Sequence, residues 1–228
     1  MYKIVSKEVL NQAVELMVIH APYVARKCEA GQFIIIRVDE DGERVPLTIA
    51  DYDSEEETVT IIYKEEVGYS TELLSKKQAG DYVVDFVGPL GQPAPLHKVD
   101  HVVGVAGGVG SAPLYPQLRK LHEMGVKVDV IIGGRSAEFV ILKEKFAEFC
   151  DHVYIATDDG SLGTKGFVTD VLKEAEYTYF YTCGPMPMFK AIEGVAKTSG
   201  QYSFEERMGC GFGACMGCTC KTKYGNKR

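Results

Sequence analysis

Three cysteines near the end of the chain restrict its possible folds more than any other feature. They follow the spacing Cys-x4-Cys-x2-Cys, in the segment Cys210-Gly-Phe-Gly-Ala-Cys215-Met-Gly-Cys218. The small residues between them allow a tight loop in which three thiolates converge and backbone amides point at sulfur. Because this is the opening spacing of a plant-type two-iron cluster loop, we predict Cys210, Cys215 and Cys218 as metal ligands.

The cluster interpretation requires a fourth ligand, and the sequence offers no obvious one. Cys220 lies two residues beyond Cys218, where an extended segment would turn its side chain away. We therefore expect the fourth ligand, and the rest of the cluster segment, beyond Arg228. A zinc knuckle or a set of free thiols is the alternative for these cysteines.

Composition excludes several classes of protein. The net charge is −7, and without a basic cluster the chain has no face to neutralise the phosphates of a nucleic acid. No apolar run approaches the length of a membrane span, and the first residues lack the apolar core of a signal peptide. An odd total of seven cysteines without a secretion signal favours metal use in a reducing cytoplasm over a disulfide framework. We therefore expect a cytoplasmic protein.

Hydrophobic patterning divides the chain into three parts. Residues 1–97 contain short apolar runs rich in β-branched residues and separated by turn signals, which predicts an all-β barrel. Residues 98–200 alternate between strand and helix patterns, which predicts an α/β domain with a parallel sheet. Residues 201–228 form a separate segment that carries the cysteines. The predicted fold class is thus an all-β barrel plus an α/β parallel-sheet domain, with a C-terminal iron–sulfur cluster loop.

A glycine-rich turn follows the first strand of the second part and opens a helix. Glycines at this place let a pyrophosphate approach the backbone, and the helix N-terminus adds partial positive charge. The spacing is not G-x-G-x-x-G, but the order of strand, turn and helix is that of a dinucleotide site. The predicted nucleotide-binding residues here are Gly107, Gly108, Val109, Gly110, Ser111, Ala112 and Pro113.

Further turns are predicted at the same edge of the parallel sheet, where open α/β sheets bind ligands. Cys183 ends the last predicted strand and can pack against a nicotinamide ring; Gly184, Pro185 and Met186 follow it. Asp158 can accept hydrogen bonds from a ribose, and Arg135 can contact either a 2′-phosphate or an adenine. A buried cysteine and solvated turns are the simpler readings, and the choice between NADH and NADPH stays open.

These motifs, in this order, resemble the ferredoxin–NADP reductase superfamily, and the cysteine loop resembles those of its iron–sulfur electron-transfer subunits. Two kinds of subunit are similar: that of dihydroorotate dehydrogenase B, and the small subunit of NADH-dependent reduced ferredoxin:NADP oxidoreductase, also called sulfide dehydrogenase beta subunit. The segment Arg44-Val-Pro-Leu-Thr48 favours the second kind. The resemblance covers essentially the whole chain and is most specific at residues 107–113, 183–188 and 205–218. It implies FAD in the barrel, NAD(H) or NADP(H) in the α/β domain, and a [2Fe-2S] cluster in the loop.

The resemblance also implies roles for individual residues. Thr48 and Cys183 would lie beside the reacting rings and are the predicted catalytic residues. One departure from the superfamily concerns Arg44, which stands one position further from Thr48 than the usual arginine, on the opposite face of a strand. The residues expected to bind the flavin are Arg44, Pro46, Leu47, Thr48, Ile62, Tyr63, Lys64, Gly68, Ser70 and Thr71.

The function implied by the resemblance is conversion between two-electron and one-electron transfer. NAD(P)H would reduce the flavin, and single electrons would pass through the cluster to or from a larger flavin/iron–sulfur catalytic subunit. Ferredoxin is a further expected partner, within an assembly that performs flavin-based bifurcation. The alternatives are the electron-transfer subunit of dihydroorotate dehydrogenase B, a free-standing NAD(P)H flavin reductase and, from another class, a non-catalytic zinc-binding adaptor.

Overall fold

The structure, a computed structural model, describes residues 1–65, 68–205, 208–222 and 225–227. In the predicted cluster segment 201–228, residues 206, 207, 223, 224 and 228 lie outside the described residues. Most strands belong to two sheets, one antiparallel and one parallel. Within the described residues, no helix combines the length and the apolar character that crossing a membrane requires.

The first half of the chain forms a near-closed antiparallel barrel. The strands are β1 (Tyr2–Asn11), β2 (Val14–His20), β3 (Phe33–Arg37), β4 (Val45–Asp53), β5 (Thr58–Lys64), β6 (Tyr82–Val83) and β7 (Asp85–Leu90), with short helices α1 (Pro22–Ala25) and α2 (Tyr69–Lys76). Their order in the sheet is β6-β1-β2-β5-β4-β3-β7. Alternate residues such as Ile34, Ile36 and Ile61 point into the barrel core, where their side chains are fully buried.

The second half forms a parallel sheet with helices on both faces. The strands are β8 (His101–Gly107), β9 (Lys127–Gly134), β10 (His152–Thr157), β11 (Thr164–Lys165), β12 (Tyr179–Cys183) and β13 (Gly200–Ser203). Their order in the sheet is β11-β10-β9-β8-β12-β13. The helices are α3 (Ser111–Glu123), α4 (Lys143–Ala147), α5 (Val168–Glu174) and α6 (Met186–Val195), with single 3-10 turns at Gly108–Gly110 and Ala137–Phe139.

Neighbouring residues of β8 show why helices cover both faces of this sheet. Val102 packs with Leu118 of α3 on one face, and Val103 packs with Leu172 of α5 on the other. Since successive side chains point to opposite faces, a strand of continuous apolar residues needs cover on both sides. The predicted fold class, a barrel followed by a parallel α/β sheet, is confirmed.

The last strand of the parallel sheet was not predicted. Residues of β13 pair in parallel with β12, from Phe180 opposite Gly200 to Cys183 opposite Ser203. The sheet therefore extends past the boundary placed at residue 200, and the domain limits stay a prediction. Beyond the sheet, β14 (Cys220–Thr222) and β15 (Gly225–Lys227) form a small antiparallel hairpin.

The barrel and the parallel sheet share a hydrophobic core. Leu16, Ala50 and Ile62 on the outer face of the barrel belong to the same buried cluster as Leu114 and Leu118 of α3. Helix α3 therefore packs against the barrel on one side and the parallel sheet on the other. This packing brings the wall of the barrel to the carboxyl edge of the parallel sheet, where the glycine turn lies.

Candidate functional site

A cavity of about 1590 Å³ lies between the barrel, the carboxyl edge of the parallel sheet and the cysteine loop. Pockets for a single small ligand usually measure about 300–1,000 Å³, so this one has room for more than one nucleotide-sized group. Most of the predicted site residues line it: Pro46, Leu47, Thr48, Ile62, Tyr63, Lys64, Thr71, Gly107, Gly108, Val109, Gly110, Ala112, Pro113, Arg135, Asp158, Cys183, Gly184, Pro185, Cys210, Cys215 and Cys218.

Three predicted residues of the barrel are not among those that line the cavity. The Arg44 guanidinium donates to the Asp85 carboxylate across 3.2 Å. The Ser70 hydroxyl donates to a backbone carbonyl. Gly68 precedes α2, and its amide donates to the Thr71 hydroxyl. The flavin roles assigned to Arg44, Gly68 and Ser70 stay predictions.

Two predicted residues of the nucleotide site also lie away from the cavity lining. Ser111 is fully buried at the start of α3, and within the described part of the chain its hydroxyl has no hydrogen-bond partner. Met186, the first residue of α6, is 48% exposed. Their assigned roles in nucleotide binding are likewise untested expectations.

The glycine turn and the Cys183 turn pack directly against each other. A Cβ atom on Gly110 would lie 2.2 Å from the carbonyl oxygen of Cys183, closer than any side chain tolerates. Gly108 adopts a φ of 56° and has no atom within 4 Å of the position of an added Cβ. The turn is thus closed on the protein side and open on the other, as a backbone that receives a pyrophosphate requires.

Helix α3 begins directly after this turn. Its residues Ser111–Glu123 make it long enough for a substantial dipole, with the positive end at the turn. The unpaired amides of its first turn favour an anion at the adjoining cavity wall. The sequence and the geometry thus point to the same phosphate-binding place.

Cys183 ends β12 at the cavity wall, where its side chain is buried. Burial raises the pKa of the thiol to about 12, and the negative charge of Glu205 adds to this shift. A hydrogen bond with the Ser203 side chain opposes it only in part. The thiol is therefore neutral at physiological pH, so Cys183 offers the cavity an apolar, polarisable surface and no thiolate nucleophile.

The barrel wall of the cavity consists of the start of β4 and the end of β5. Tyr63 in β5 is buried, and its hydroxyl donates to the Glu15 carboxylate across 2.8 Å. Lys7 pairs with the other oxygen of Glu15 at 2.9 Å. Burial, with the hydrogen bond to Glu15, raises the pKa of the Tyr63 phenol. Its hydroxyl is thus committed to the barrel interior.

The cysteine loop directs backbone amides at its sulfur atoms. The amide of Gly209 donates to Cys218 Sγ across 3.1 Å, and the amide of Cys215 donates to Cys210 Sγ across 3.4 Å. The amide of Gly217 lies 3.5 Å from Cys215 Sγ. Each of the three thiols therefore accepts at least one backbone hydrogen bond, the arrangement that stabilises thiolate ligands of an iron–sulfur cluster.

The same amides change the acidity of the loop. Hydrogen bonds from the backbone of Cys215 and then of Phe212 lower the pKa of Cys210 to about 6. This cysteine is therefore largely a thiolate at neutral pH, which is the form that binds metal. A Cβ on Gly209 would lie 3.0 Å from Cys215 Sγ, so a side chain at this position would crowd that sulfur.

The described residues contain no group of three His, Cys, Asp or Glu side chains gathered tightly enough to hold one metal ion. A two-iron cluster divides its ligands between two irons, so its sulfurs stand further apart than those around a single zinc ion. The loop also lies on the barrel, since a Cβ on Gly211 would meet Ile35 Cδ1 at 2.7 Å. The donor set fits a cluster beside the barrel wall of the cavity.

Several residues that line the cavity were not predicted. They comprise four aromatic and two polar side chains: Phe33, Phe139, Phe167, Phe204, Gln117 and Glu205. Gln117 is buried on the apolar face of α3, and its amide donates to the Pro113 carbonyl across 3.0 Å. A polar residue among the leucines of an amphipathic helix is a signal that sequence analysis could have used. Phe204 and Glu205 follow the unpredicted strand β13.

Three features surround one cavity: a barrel, a sheet edge of the dinucleotide-binding type and a loop of thiolates. Together they define the class of nicotinamide-dependent oxidoreductases that carry an iron–sulfur centre. Two family models match the chain. The model of the oxidoreductase NAD-binding domain matches residues 105–194. The model of the iron–sulfur cluster binding domain of dihydroorotate dehydrogenase B matches residues 205–228.

Whole-chain comparisons narrow the class to a family. The electron transfer subunit of dihydroorotate dehydrogenase B (NAD(+)) from Bacillus cereus (strain B4264) is 40% identical over 94% of this chain and 85% of its own. An uncharacterized protein in the adh 3′ region of Clostridium beijerinckii is 44% identical over 96% of this chain and 79% of its own. The chain belongs to the family of the dihydroorotate dehydrogenase B electron-transfer subunits.

A solved structure supports the same assignment. It is the structure of the NADH-dependent reduced ferredoxin-NADP oxidoreductase, which gave insights into flavin-based electron bifurcation. It superimposes with a TM-score of 0.91 at 34% identity, over 100% of this chain and 84% of its own. The predicted resemblance, the oxidoreductase class, and the nicotinamide and iron–sulfur cofactors are thereby confirmed.

Proposed function

We propose that this chain is an electron-transfer subunit that converts the two-electron chemistry of NAD(P)H into single-electron transfer through FAD and a [2Fe-2S] cluster. The observation that carries the proposal is the shared cavity, because the barrel wall, the glycine turn and the three cysteines all line it. When bound, FAD supplies the hydride and single-electron chemistry that no side chain of the cavity supplies.

On the nucleotide side, the residues of the chain bind and orient NAD(P)H. The turn at Gly108–Gly110 and the N-terminus of α3 receive the pyrophosphate. At the sheet edge, Asp158 accepts hydrogen bonds from a ribose, and Arg135 contacts a 2′-phosphate or the adenine. Cys183 forms a neutral wall for the nicotinamide. No acid or base is required for hydride transfer, which fits a wall whose thiol has a pKa of about 12.

On the barrel side, Pro46, Leu47 and Thr48 at the start of β4 and residues 62–64 of β5 face the flavin. Thr71, which also lines the cavity, stands in the first turn of α2. On the tail side, Cys210, Cys215 and Cys218 hold the cluster as thiolates, and the amides directed at their sulfur atoms tune its potential.

The partner we propose is a larger flavin/iron–sulfur catalytic subunit, with ferredoxin as a further electron partner. The names of the relatives support it, since one is an electron transfer subunit and another is a reduced ferredoxin oxidoreductase. The exposed cysteine loop supports it as well, because a cluster that hands on electrons must lie at a surface. A subunit of dihydroorotate dehydrogenase B is the second candidate, favoured by the match of the cluster segment at residues 205–228.

Anaerobic purification of the native complex tests this function. We expect a visible spectrum with flavin and iron–sulfur bands, equal amounts of FAD and two-iron cluster on this chain, and a co-purifying larger subunit. Turnover of dihydroorotate by the complex would select the second candidate, and turnover of ferredoxin with NADP(H) the first. A colourless protein that contains zinc and no flavin would contradict both, and would favour the metal-binding adaptor.

A further inference from the structure

Helix α3 and strand β4 connect the two halves of the proposed site. Helix α3 begins at the glycine turn, and β4 begins with the residues assigned to the flavin. The two elements pack against each other through the core that contains Ala50 and Leu118. A shift of α3 along β4 therefore changes the distance between the nucleotide turn and the barrel wall.

One side chain ties these elements together at the far end from the cofactors. Arg119 of α3 places one guanidinium nitrogen 2.5 Å from the Asp51 carboxylate of β4. Another nitrogen donates to the Tyr52 carbonyl at 3.4 Å. The guanidinium also lies 5.5 Å from the centre of the Tyr52 ring and 5.7 Å from that of Tyr115. We call this set, Arg119, Asp51, Tyr52 and Tyr115, the Arg119 latch.

The latch differs from the other ion pairs of the protein in what it joins. Among the ion pairs of residues 1–65, 68–205, 208–222 and 225–227, the Arg119–Asp51 pair is the one that links the barrel to the parallel-sheet half. The neighbouring Lys120 pairs within α3, with Glu123 at 2.9 Å. Arg119 also approaches this carboxylate, at 3.9 Å, so Asp51 is the partner that distinguishes it from Lys120. The latch thus acts on the relation between the two halves, whereas Lys120 acts within α3.

Partial burial makes the charges of Asp51 and Arg119 depend on each other. Asp51 and Arg119 have side chains that are only 23% and 27% exposed. Burial raises the pKa of the Asp51 carboxyl, and the charge of Arg119 opposes that rise. Without the guanidinium, the half-buried carboxylate would lose its compensating charge and draw water into the seam. The planar guanidinium also fits between two aromatic rings in a way that a lysine ammonium does not.

We propose that Arg119 is a positioning residue whose latch fixes the nucleotide-binding half against the barrel, and so sets the approach of the nicotinamide to the flavin. The inference rests on the proposed function for its catalytic consequence, but the latch itself is a property of the α3–β4 seam. Arg119 contacts neither assigned cofactor site, so its effect on the reaction passes through geometry alone.

The test compares the complete holoprotein with R119M, R119K and D51N, and uses K120M as the matched control on the same helix. Stopped-flow mixing with NADH and with NADPH gives the rate constant of flavin reduction and the apparent dissociation constant of the nucleotide. Hydrogen exchange of peptides from α3 and β4, measured on the same samples, reports on the seam independently of activity. Flavin and iron contents identify any variant that fails to assemble.

We expect R119M to reduce the rate constant of flavin reduction about tenfold or more, because a displacement of about 1 Å in a reacting pair can cost about 100-fold. Nucleotide affinity should change less than the rate constant, and exchange in α3 and β4 should accelerate. R119K and D51N should lie between R119M and the parent, and K120M should match the parent. If R119M does not assemble, R119K and D51N carry the same comparison.

The latch would be overturned if R119M kept both the hydrogen exchange and the flavin-reduction rate of the parent. If R119M does not assemble, the same result in both R119K and D51N would overturn it. Faster exchange with an unchanged rate would overturn its role in positioning. A parent protein that neither nucleotide reduces would contradict the proposed function instead, and the exchange data would still decide whether the seam depends on Arg119.

Discussion

Two glycine-rich turns with cysteines meet at one cavity, and they treat sulfur in opposite ways. At the end of β12, Cys183 is surrounded by protein, and burial raises the pKa of its thiol to about 12. In the tail loop, Cys210 receives backbone amides, and they lower its pKa to about 6. The comparison shows that the surroundings of a cysteine decide its role. Burial keeps a thiol neutral, as in a cavity wall, whereas backbone donors stabilise the thiolate that binds metal.

The glycines of the two turns differ in the same sense. Gly110 is required because the Cys183 carbonyl occupies the space of a side chain. Gly213 has a φ of 75° and no atom within 4 Å of an added Cβ, so it is required for its backbone conformation. The nucleotide turn is thus fixed by close packing, whereas the cysteine loop is shaped by backbone dihedral angles that suit the cluster it binds.

The largest expected effect follows from removing a ligand. C215S should eliminate the cluster absorption and the iron of the purified chain, while flavin reduction by nicotinamide continues. C150S, a change at a partly buried cysteine outside the cavity lining, is the control and should retain the iron. Metal analysis and visible spectra measure both. Full iron content in C215S would show that Cys215 is not a cluster ligand, and would contradict the contrast between the loop cysteines and Cys183.

The next effect concerns thiol reactivity in iron-free protein. At pH 7, iodoacetamide should alkylate Cys210 about 1,000-fold faster than Cys183, because thiolate fraction and access both favour the loop. The rate at Cys210 should rise with pH through about 6 and then level off, whereas the rate at Cys183 should still be rising as the pH approaches 12. Peptide mass spectrometry over a pH series measures the rates. Equal rates would contradict the comparison.

A smaller loss is expected from crowding the nucleotide turn. G110A places a methyl group 2.2 Å from the Cys183 carbonyl oxygen, so the turn must shift. We expect flavin reduction by NADH to slow about 100-fold, with a loss of about 1–3 kcal/mol in the free energy of unfolding. G194A in α6, where no atom lies within 4 Å of the new methyl group, is the matched control. Stopped-flow rates and denaturant unfolding give both quantities, and parent-like behaviour of G110A would refute the close packing.

The smallest effect is expected at the wall cysteine itself. C183A removes a neutral thiol and no charge, so the rate constant of hydride transfer should fall less than about tenfold, with an unchanged pH profile. C183S retains nearly the same shape and should fall between C183A and the parent. A loss of several hundredfold, or a new dependence on pH near neutrality, would show that Cys183 reacts as a thiolate.

The sequence was most informative where the chemistry is local. The cysteine spacing and the glycine turn each lie within about ten consecutive residues, because a loop and a strand-to-helix turn are set by near neighbours. The β-rich first part and the alternation of strands and helices in the second part were also predicted, because both rest on the period of the apolar residues. In strand β1 most residues are exposed or half-buried, so its apolar pattern is weak.

What the sequence could not supply were pairings between distant segments. Arg44 bonds Asp85 on another strand, Arg119 reaches Asp51 across the seam, and β13 joins the sheet beside β12. Each depends on how segments distant in the sequence pack in three dimensions, which periodicity does not encode. Arg44 had been expected at the flavin, and its partner in the barrel is visible only once the strands are assembled.

The measurement that tests the central claim most directly is the reduction of anaerobic holoprotein by NAD(P)H, followed by flavin absorbance and by electron paramagnetic resonance of the same samples. The account predicts loss of the flavin band together with the signal of a reduced two-iron cluster in the parent chain. In C215S it predicts loss of the flavin band alone. A parent chain that bleaches its flavin while its cluster never takes up an electron would contradict the relay between cavity and loop.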